Sequence, residues 1–249
     1  MEVSNLKHLA MILDGNRRWG KARGIKMSVD FYIQSGLLGL DIAKAVFSRG
    51  IPHLTIWIGS VSNLTERPAM EIAALNKAYA KFFADEENLQ FAHENKIQIE
   101  CIGRWRELLK PETVKAIEKT VAETAQHADS GRLLTVLIGY DGTEERGAAL
   151  ESVLLYNPEF LPDDSSSAGK LHSFADLLRK NSWTGHLPDI DLIIRTGSGA
   201  DPHNSAGFMS MLADNAQFTF LETLWPDFTA EMLGEILDNF SRRERRLGK

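Results

Sequence analysis

The chain has 249 residues, 43% hydrophobic and 25% charged, with a formal net charge of −6. That is enough chain to bury a substantial core within one α/β domain, while the acidic balance argues against a general attraction to nucleic-acid backbones. A single cysteine, Cys101, excludes an intramolecular disulfide and a thiolate metal cluster.

In chain order, the first seven residues lack the charged and apolar regions of a signal peptide. No later apolar run reaches the ~20 residues of a membrane span. A cytoplasmic protein with at most peripheral membrane contact is expected. Leu9–Leu13 reads as a strand, Ile33–Ser48 as a helix and Leu54–Ile58 as a strand. Met70–Glu94 reads as one long Ala-rich helix with Leu75, Tyr79, Phe82 and Phe83 on a stripe. Ile97–Ile102 is a strand whose apolar neighbours mark Cys101 as a buried structural thiol. Pro111–Ala128 is a helix with proline in its first turn. Leu133–Ile138 is a strand, and the polar run Asp163–Gly169 is read as a surface loop rather than a domain linker. Ser173–Lys180 (helix), Leu192–Ile194 and Phe218–Leu221 (strands) and Thr229–Arg246 (helix) complete the set. Strands alternating with helices predict an α/β single domain over 1–249, a mostly parallel sheet of about six strands flanked by helices.

Open parallel sheets bind ligands beyond the carboxyl ends of their strands, and three such ends carry chemistry. The first lies in HLAMILDGNRRWGKARG, His8–Gly24, where Asp14-Gly15-Asn16 ends a strand and Arg17 and Arg18 follow. Gly15 allows a close turn, and a helix starting near Arg17 would aim free N–H groups into the crevice. Asp14 can hold a divalent metal and the arginines can clamp a phosphate; the plain alternative is that Asp14 only caps the helix. The second end is Arg195-Thr196-Gly197, and the third is Ser60–Pro68, where Ser62, Asn63 and Arg67 follow a strand. Together they indicate a ligand with more than one phosphate, or two phosphorylated ligands. An aspartyl-nucleophile phosphatase is excluded, because the nucleophile's position is Ile12. Neither GxxxxGK[ST], GxGxxG nor HExxH occurs.

These residues resemble the signature of the cis-prenyltransferases, the undecaprenyl diphosphate synthase family. Arg67-Pro68, Pro188–Gly197, Leu224-Trp225-Pro226-Asp227-Phe228 and the Arg242–Gly248 tail match it further, in the family's order. The resemblance implies a homodimer with a hydrophobic tunnel between sheet and helices. It implies an allylic prenyl diphosphate at the Asp-Gly-Asn loop and a second prenyl diphosphate beside it, with Mg2+ as cofactor. Asp14 would be the essential aspartate acting with magnesium. Gly15, Asn16, Arg17, Arg18 and Trp19 would form the first diphosphate clamp, and Ser62, Asn63 and Arg67 the catalytic loop. Arg195 and Ser205 would hold the second diphosphate, and Arg246 and Gly248 would reach across the dimer. No nucleic-acid partner is implied.

The chain also departs from the family pattern. Lys26 is the candidate replacement for an arginine, and Leu64 stands where the catalytic asparagine is expected, with Asn63 one place early. Thr143 replaces an arginine, and the 196–204 segment lacks the family's second arginine. Gln217 replaces a glutamate that helps hold magnesium, leaving Asp214 or Asp201 as candidate metal ligands beside Asp14. Leu137 and Ile138 stand where long-chain members carry small tunnel residues, either shortening the tunnel or serving as plain core. Three readings follow. One is an atypical prenyltransferase giving a short, irregular or cyclised product. The second is an ordinary chain-elongating synthase, and the third is a non-catalytic partner of an active homologue.

Overall fold

The computed structural model describes residues 6–156 and 168–243. The Arg246 and Gly248 expectations, and most of the 163–169 run, lie outside the described residues.

The chain runs β1 (His8–Ile12), α1 (Asn16–Ala22), α2 (Val29–Ser48), β2 (His53–Ser60), α3 (Val61–Thr65), α4 (Ala69–Ala84), α5 (Glu86–Glu94), β3 (Gln98–Ile102), α6 (Trp105–Leu108) and α7 (Pro111–Thr124). It continues with β4 (Leu133–Tyr140), α8 (Gly142–Tyr156), α9 (Ala168–Lys180), β5 (Leu192–Arg195), β6 (Gln217–Phe220) and α10 (Ala230–Ser241). Among the described residues these form one six-stranded sheet in the order β3-β4-β2-β1-β5-β6. Every pairing is parallel. All five residues of β1 are buried, as expected for a central strand covered on both faces.

The strand order explains where the three arginine-bearing ends meet. The chain leaves β1 toward β2 on one side, and later places β5 on the other. β1 is therefore the switch point, where an α/β sheet opens its ligand crevice. The ends of β2, β1 and β5 are consecutive in space although far apart in sequence.

Side chains of successive strand residues point to opposite faces. Leu9, Met11, Leu54, Ile56, Val136 and Ile138 enter a core beneath Phe47, Trp105 and Ile117. Ala10, Ile12, Trp57, Leu137 and Tyr140 enter another, with Phe208 and Leu212. Leu137 is thus ordinary core on the face away from α2 and α4.

The expected helix Met70–Glu94 is two helices. Asp85 takes an extended conformation, and its carboxylate accepts from the Glu87 and Asn88 N–H groups, capping α5. The expected Pro111–Ala128 helix tightens into a 3-10 turn at Ala125–Ser130. Helix α8 was not predicted, because its apolar residues surround the helix instead of lining one face. Cys101 is half-buried in β3, and burial holds its thiol well above the ordinary range.

Candidate active site

After β1 the chain must turn within a few residues to start α1. Gly15 makes that turn at φ +112°, and a Cβ there would lie 2.8 Å from Leu224 Cδ2. The Asp14 carbonyl accepts from the Trp225 N–H at 3.0 Å and from the Thr196 hydroxyl at 2.7 Å. Two distant segments thereby fix the loop. The Asp14 carboxylate bridges two guanidinium groups: Oδ1 lies 3.1 Å from Arg18 Nη2, and Oδ2 lies 3.0 Å from Arg195 Nη2. Arg195 also donates Nη1 to the His203 carbonyl at 2.8 Å. Asn16 donates to the Leu13 carbonyl and accepts from Ser35, whose hydroxyl also receives Trp225 Nε1–H at 3.0 Å.

At the end of β2, Ser60 caps α3 in a reciprocal box with Asn63, and Ser60 and Ser62 share a hydroxyl contact at 2.9 Å. Leu64 turns into the core. Arg67 donates Nη1 to Glu71 at 2.9 Å and to Tyr32 at 3.3 Å, while Tyr32 donates to Glu71 at 2.8 Å. Arg17 approaches the same carboxylate at 3.6 Å. Burial, and then the hydrogen bond to Glu71, push the Tyr32 hydroxyl well above the ordinary tyrosine range, so it remains a donor.

Asp14, Gly15, Asn16, Arg17, Arg18, Ser62, Asn63, Arg67, Arg195 and Ser205 border the mouth of a cavity of about 520 Å³. Its interior walls are apolar: Ile56, Tyr79, Phe82, Phe83, Phe91, Ile97, Leu134 and Val136, between the sheet and helices α2, α4 and α5. A cationic mouth over a greasy interior suits an amphiphile with an anionic head.

A family model described as "Putative undecaprenyl diphosphate synthase" matches residues 12–248. The chain belongs to the cis-prenyltransferase family. It is a transferase of prenyl groups. An isoprenyl transferase of Brucella abortus is 32% identical over 99% of this chain and 91% of its own. One from Chlamydia abortus is 33% identical over 98% and 92%. In fold, the chain resembles the lavandulyl diphosphate synthase of Lavandula x intermedia, solved with dimethylallyl diphosphate (TM-score 0.82, 24% identity, 98% of each chain). It also resembles a probable undecaprenyl diphosphate synthase of Campylobacter jejuni (TM-score 0.71, 23% identity, 98% and 99%).

Within this cis-prenyltransferase, several expected residues stand away from the cavity. Trp19 donates Nε1–H to Asp227 at 2.7 Å and carries Arg23 on its ring, so it fastens α1 to the Trp-Pro-Asp-Phe segment instead of lining the mouth. Lys26 is exposed and outside the lining. Asp214 is corrected as a metal ligand: it is exposed, in the turn before β6, whereas Asp14 lies beyond the opposite end of the parallel sheet. Gln217 begins β6, paired with Leu192 and so level with Leu9, and it accepts from Arg243 at 2.9 Å. Asp201 is exposed and pairs with His203. Among the described residues, no group of three or more His, Cys, Asp or Glu could hold a metal.

The residues not anticipated are Tyr32, Ser35 and Glu71. Tyr32 and Ser35 come from α2, whose face is visible in the sequence only as apolar periodicity. The one available signal was the spacing of Arg67 and Glu71, which sets the arginine just before α4 and the carboxylate in its first turn, within reach of each other.

Proposed function

We propose that this enzyme ionises an allylic prenyl diphosphate and joins the resulting carbon to the double bond of a second prenyl diphosphate, with diphosphate and then a proton leaving, to give a short or irregular product. The observation that carries this reading is the Asp14 carboxylate bridging Arg18 and Arg195 at the mouth of an apolar cavity. Departure of diphosphate builds negative charge on oxygen, and guanidinium groups already aimed at the mouth stabilise it as it forms. The apolar walls, Phe82 and Phe83 among them, receive the hydrocarbon and keep water from the electron-deficient carbon.

Asp14 fits a magnesium partner. It is a hard oxygen donor, 36% exposed at the mouth, and a carboxylate has about four lone-pair sites, so two guanidinium contacts leave room for a cation. Mg2+ typically takes one or two carboxylates together with substrate phosphates and water. When bound, it would neutralise charge on the departing diphosphate.

The atypical product is favoured by the acceptor side. Residues 196–204 contain no lysine or arginine, so Arg195 is the cation that this segment offers a second diphosphate. Ordinary chain elongation with isopentenyl diphosphate is the second reading, favoured by relatives of 32–33% identity that are named isoprenyl transferases. The family reading carries a cytoplasmic homodimer with it, checked by light scattering. No helix among the described residues is long and apolar enough to cross a membrane.

Incubation with Mg2+ and dimethylallyl, geranyl or farnesyl diphosphate, with and without isopentenyl diphosphate, tests the function by product mass and linkage. Products formed from allylic diphosphates alone, or single condensations, support the atypical reading. Long polyprenyl diphosphates establish the second. Absence of any product sinks both.

A further inference from the structure

We infer that the Tyr140 hydroxyl, fixed by Glu145 behind the site, positions the 203–209 lip that receives the acceptor diphosphate. This rests on the proposed reading of that side of the mouth.

The lip does not hold its shape by local preference. Ala206 and Met209 adopt φ values of +46° and +43°, which non-glycine residues rarely take and keep only where their surroundings impose them. Ser205 and Ala206 line the mouth from this lip, and the His203 carbonyl accepts from Arg195. Its shape therefore sets what the acceptor head meets.

What imposes that shape lies behind it, at the end of β4. Tyr140 is fully buried and accepts the Met209 N–H at 3.0 Å. Its own proton goes to Glu145 Oε2. Glu145, 1% exposed, is held in turn by the Thr184 N–H at 2.8 Å and the Thr184 hydroxyl at 2.6 Å, both on Oε1. A tyrosine hydroxyl offers one donor, and Glu145 claims it, so its lone pair is presented to Met209. Burial, and then the charge of Glu145, keep that hydroxyl protonated. The Phe208 ring, stacked on Trp57 with centroids 5.3 Å apart, fills the space beside this bond. Backbone packing supports the same edge: a Cβ on Gly142 would lie 2.0 Å from the Gly207 carbonyl oxygen.

Apolar filling alone would not need this arrangement. A buried carboxylate with three donors is costly to build and specifies a single geometry. Here the element it specifies carries Ser205, the residue matched to the second substrate.

The test compares wild type with Tyr140→Phe and Gly142→Ala, and with Thr113→Val as a control that removes a buried hydroxyl elsewhere. Steady-state kinetics vary geranyl diphosphate and the acceptor, isopentenyl or dimethylallyl diphosphate, in turn. Hydrogen exchange is followed over 203–212 and 14–22, and Tm is recorded. Both lip variants are expected to raise the acceptor KM about tenfold, with the geranyl diphosphate KM within about twofold, and Tyr140→Phe to speed exchange at 203–212 alone. Acceptor and allylic KM rising together, or lowered Tm with unchanged KM and unchanged lip exchange as in the control, would overturn the inference. If wild type turns over no diphosphate, the proposed function fails, and the exchange pattern still decides whether Tyr140 holds the lip.

Discussion

Asp14 Oδ2 and Arg195 Nη2 meet at 3.0 Å across 181 positions of the chain. The pair exists because β1 and β5 are neighbours in register, Ile12 beside Arg195, so Asp14 just beyond β1 meets the arginine that ends β5. It ties the loop after β1 to the end of β5, so the two substrate sites proposed above would share an ion pair.

Asp14→Asn keeps the shape of the side chain and removes its charge. Turnover should fall by about 10²–10³, the scale for losing one electrostatic group at a developing charge, while circular dichroism stays that of wild type. Initial-rate assays with Mg2+ measure it; a rate near that of wild type would remove Asp14 from the chemistry.

Gly15→Ala should cost about 1–3 kcal/mol through the strained φ of +112°. Steric conflict with Leu224 at 2.8 Å shifts the Asp14 loop as well. Urea unfolding gives the stability loss, and the affinity for geranyl diphosphate should fall with it.

Acid should loosen the fold partly through His8. Desolvation by burial brings its pKa down to about 4, with the ring set between the Pro188 carbonyl and the Thr55 hydroxyl at 2.8 Å each. The folded value is lower than the unfolded 6.5, so the unfolded chain binds the proton more readily. The contribution is complete above pH 6.5 and is lost as pH falls toward 4, amounting to about 3 kcal/mol. His186 has the opposite sign, because its bond to Glu100 raises its pKa and favours the fold below 6.5. Urea midpoints from pH 7 to 4 should decline, and less steeply in His8→Gln.

Leu137→Ala and Phe82→Ala separate core from cavity wall. Leu137, fully buried on the other sheet face, should cost about 2–5 kcal/mol when truncated and leave product length unchanged. Phe82 lines the cavity and rests against Gly36, where a Cβ would lie 3.0 Å from its ring. Its truncation should admit longer products, read by mass spectrometry.

The sheet was legible in the sequence because each strand is a short buried run, and because strands alternating with helices leave few topologies. The gathering of Asp14, Arg18, Arg67 and Arg195 at one cavity was legible because each lies at, or in a segment that leaves, the carboxyl end of a strand in one parallel sheet. Asp214 misled through its nearness in sequence to Gln217; it precedes β6 and so lies at the amino end of the parallel strands, away from Asp14. Trp19 looked like part of a clamp because it adjoins two arginines, yet a helix turns successive side chains by about 100°, and its face meets Asp227. Glu71 and Glu145 were not legible as hubs: each has one donor near in sequence, Arg67 and Tyr140, but Tyr32 and Thr184 are brought to them only by tertiary packing.

The Asp14 carbonyl is held by Thr196 on one side and Trp225 on the other, and the Gly197 N–H joins the Thr223 carbonyl at 2.8 Å. Residues 200–204 hang between these anchors. The His203 carbonyl ties the end of this stretch to Arg195, and so to the Asp14 carboxylate, while Ala200 and Pro202 are not among the residues lining the cavity. Exchanging residues 200–202 between relatives, with His203 kept, would therefore ask whether this edge influences the proposed acceptor while the Asp14 loop stays anchored.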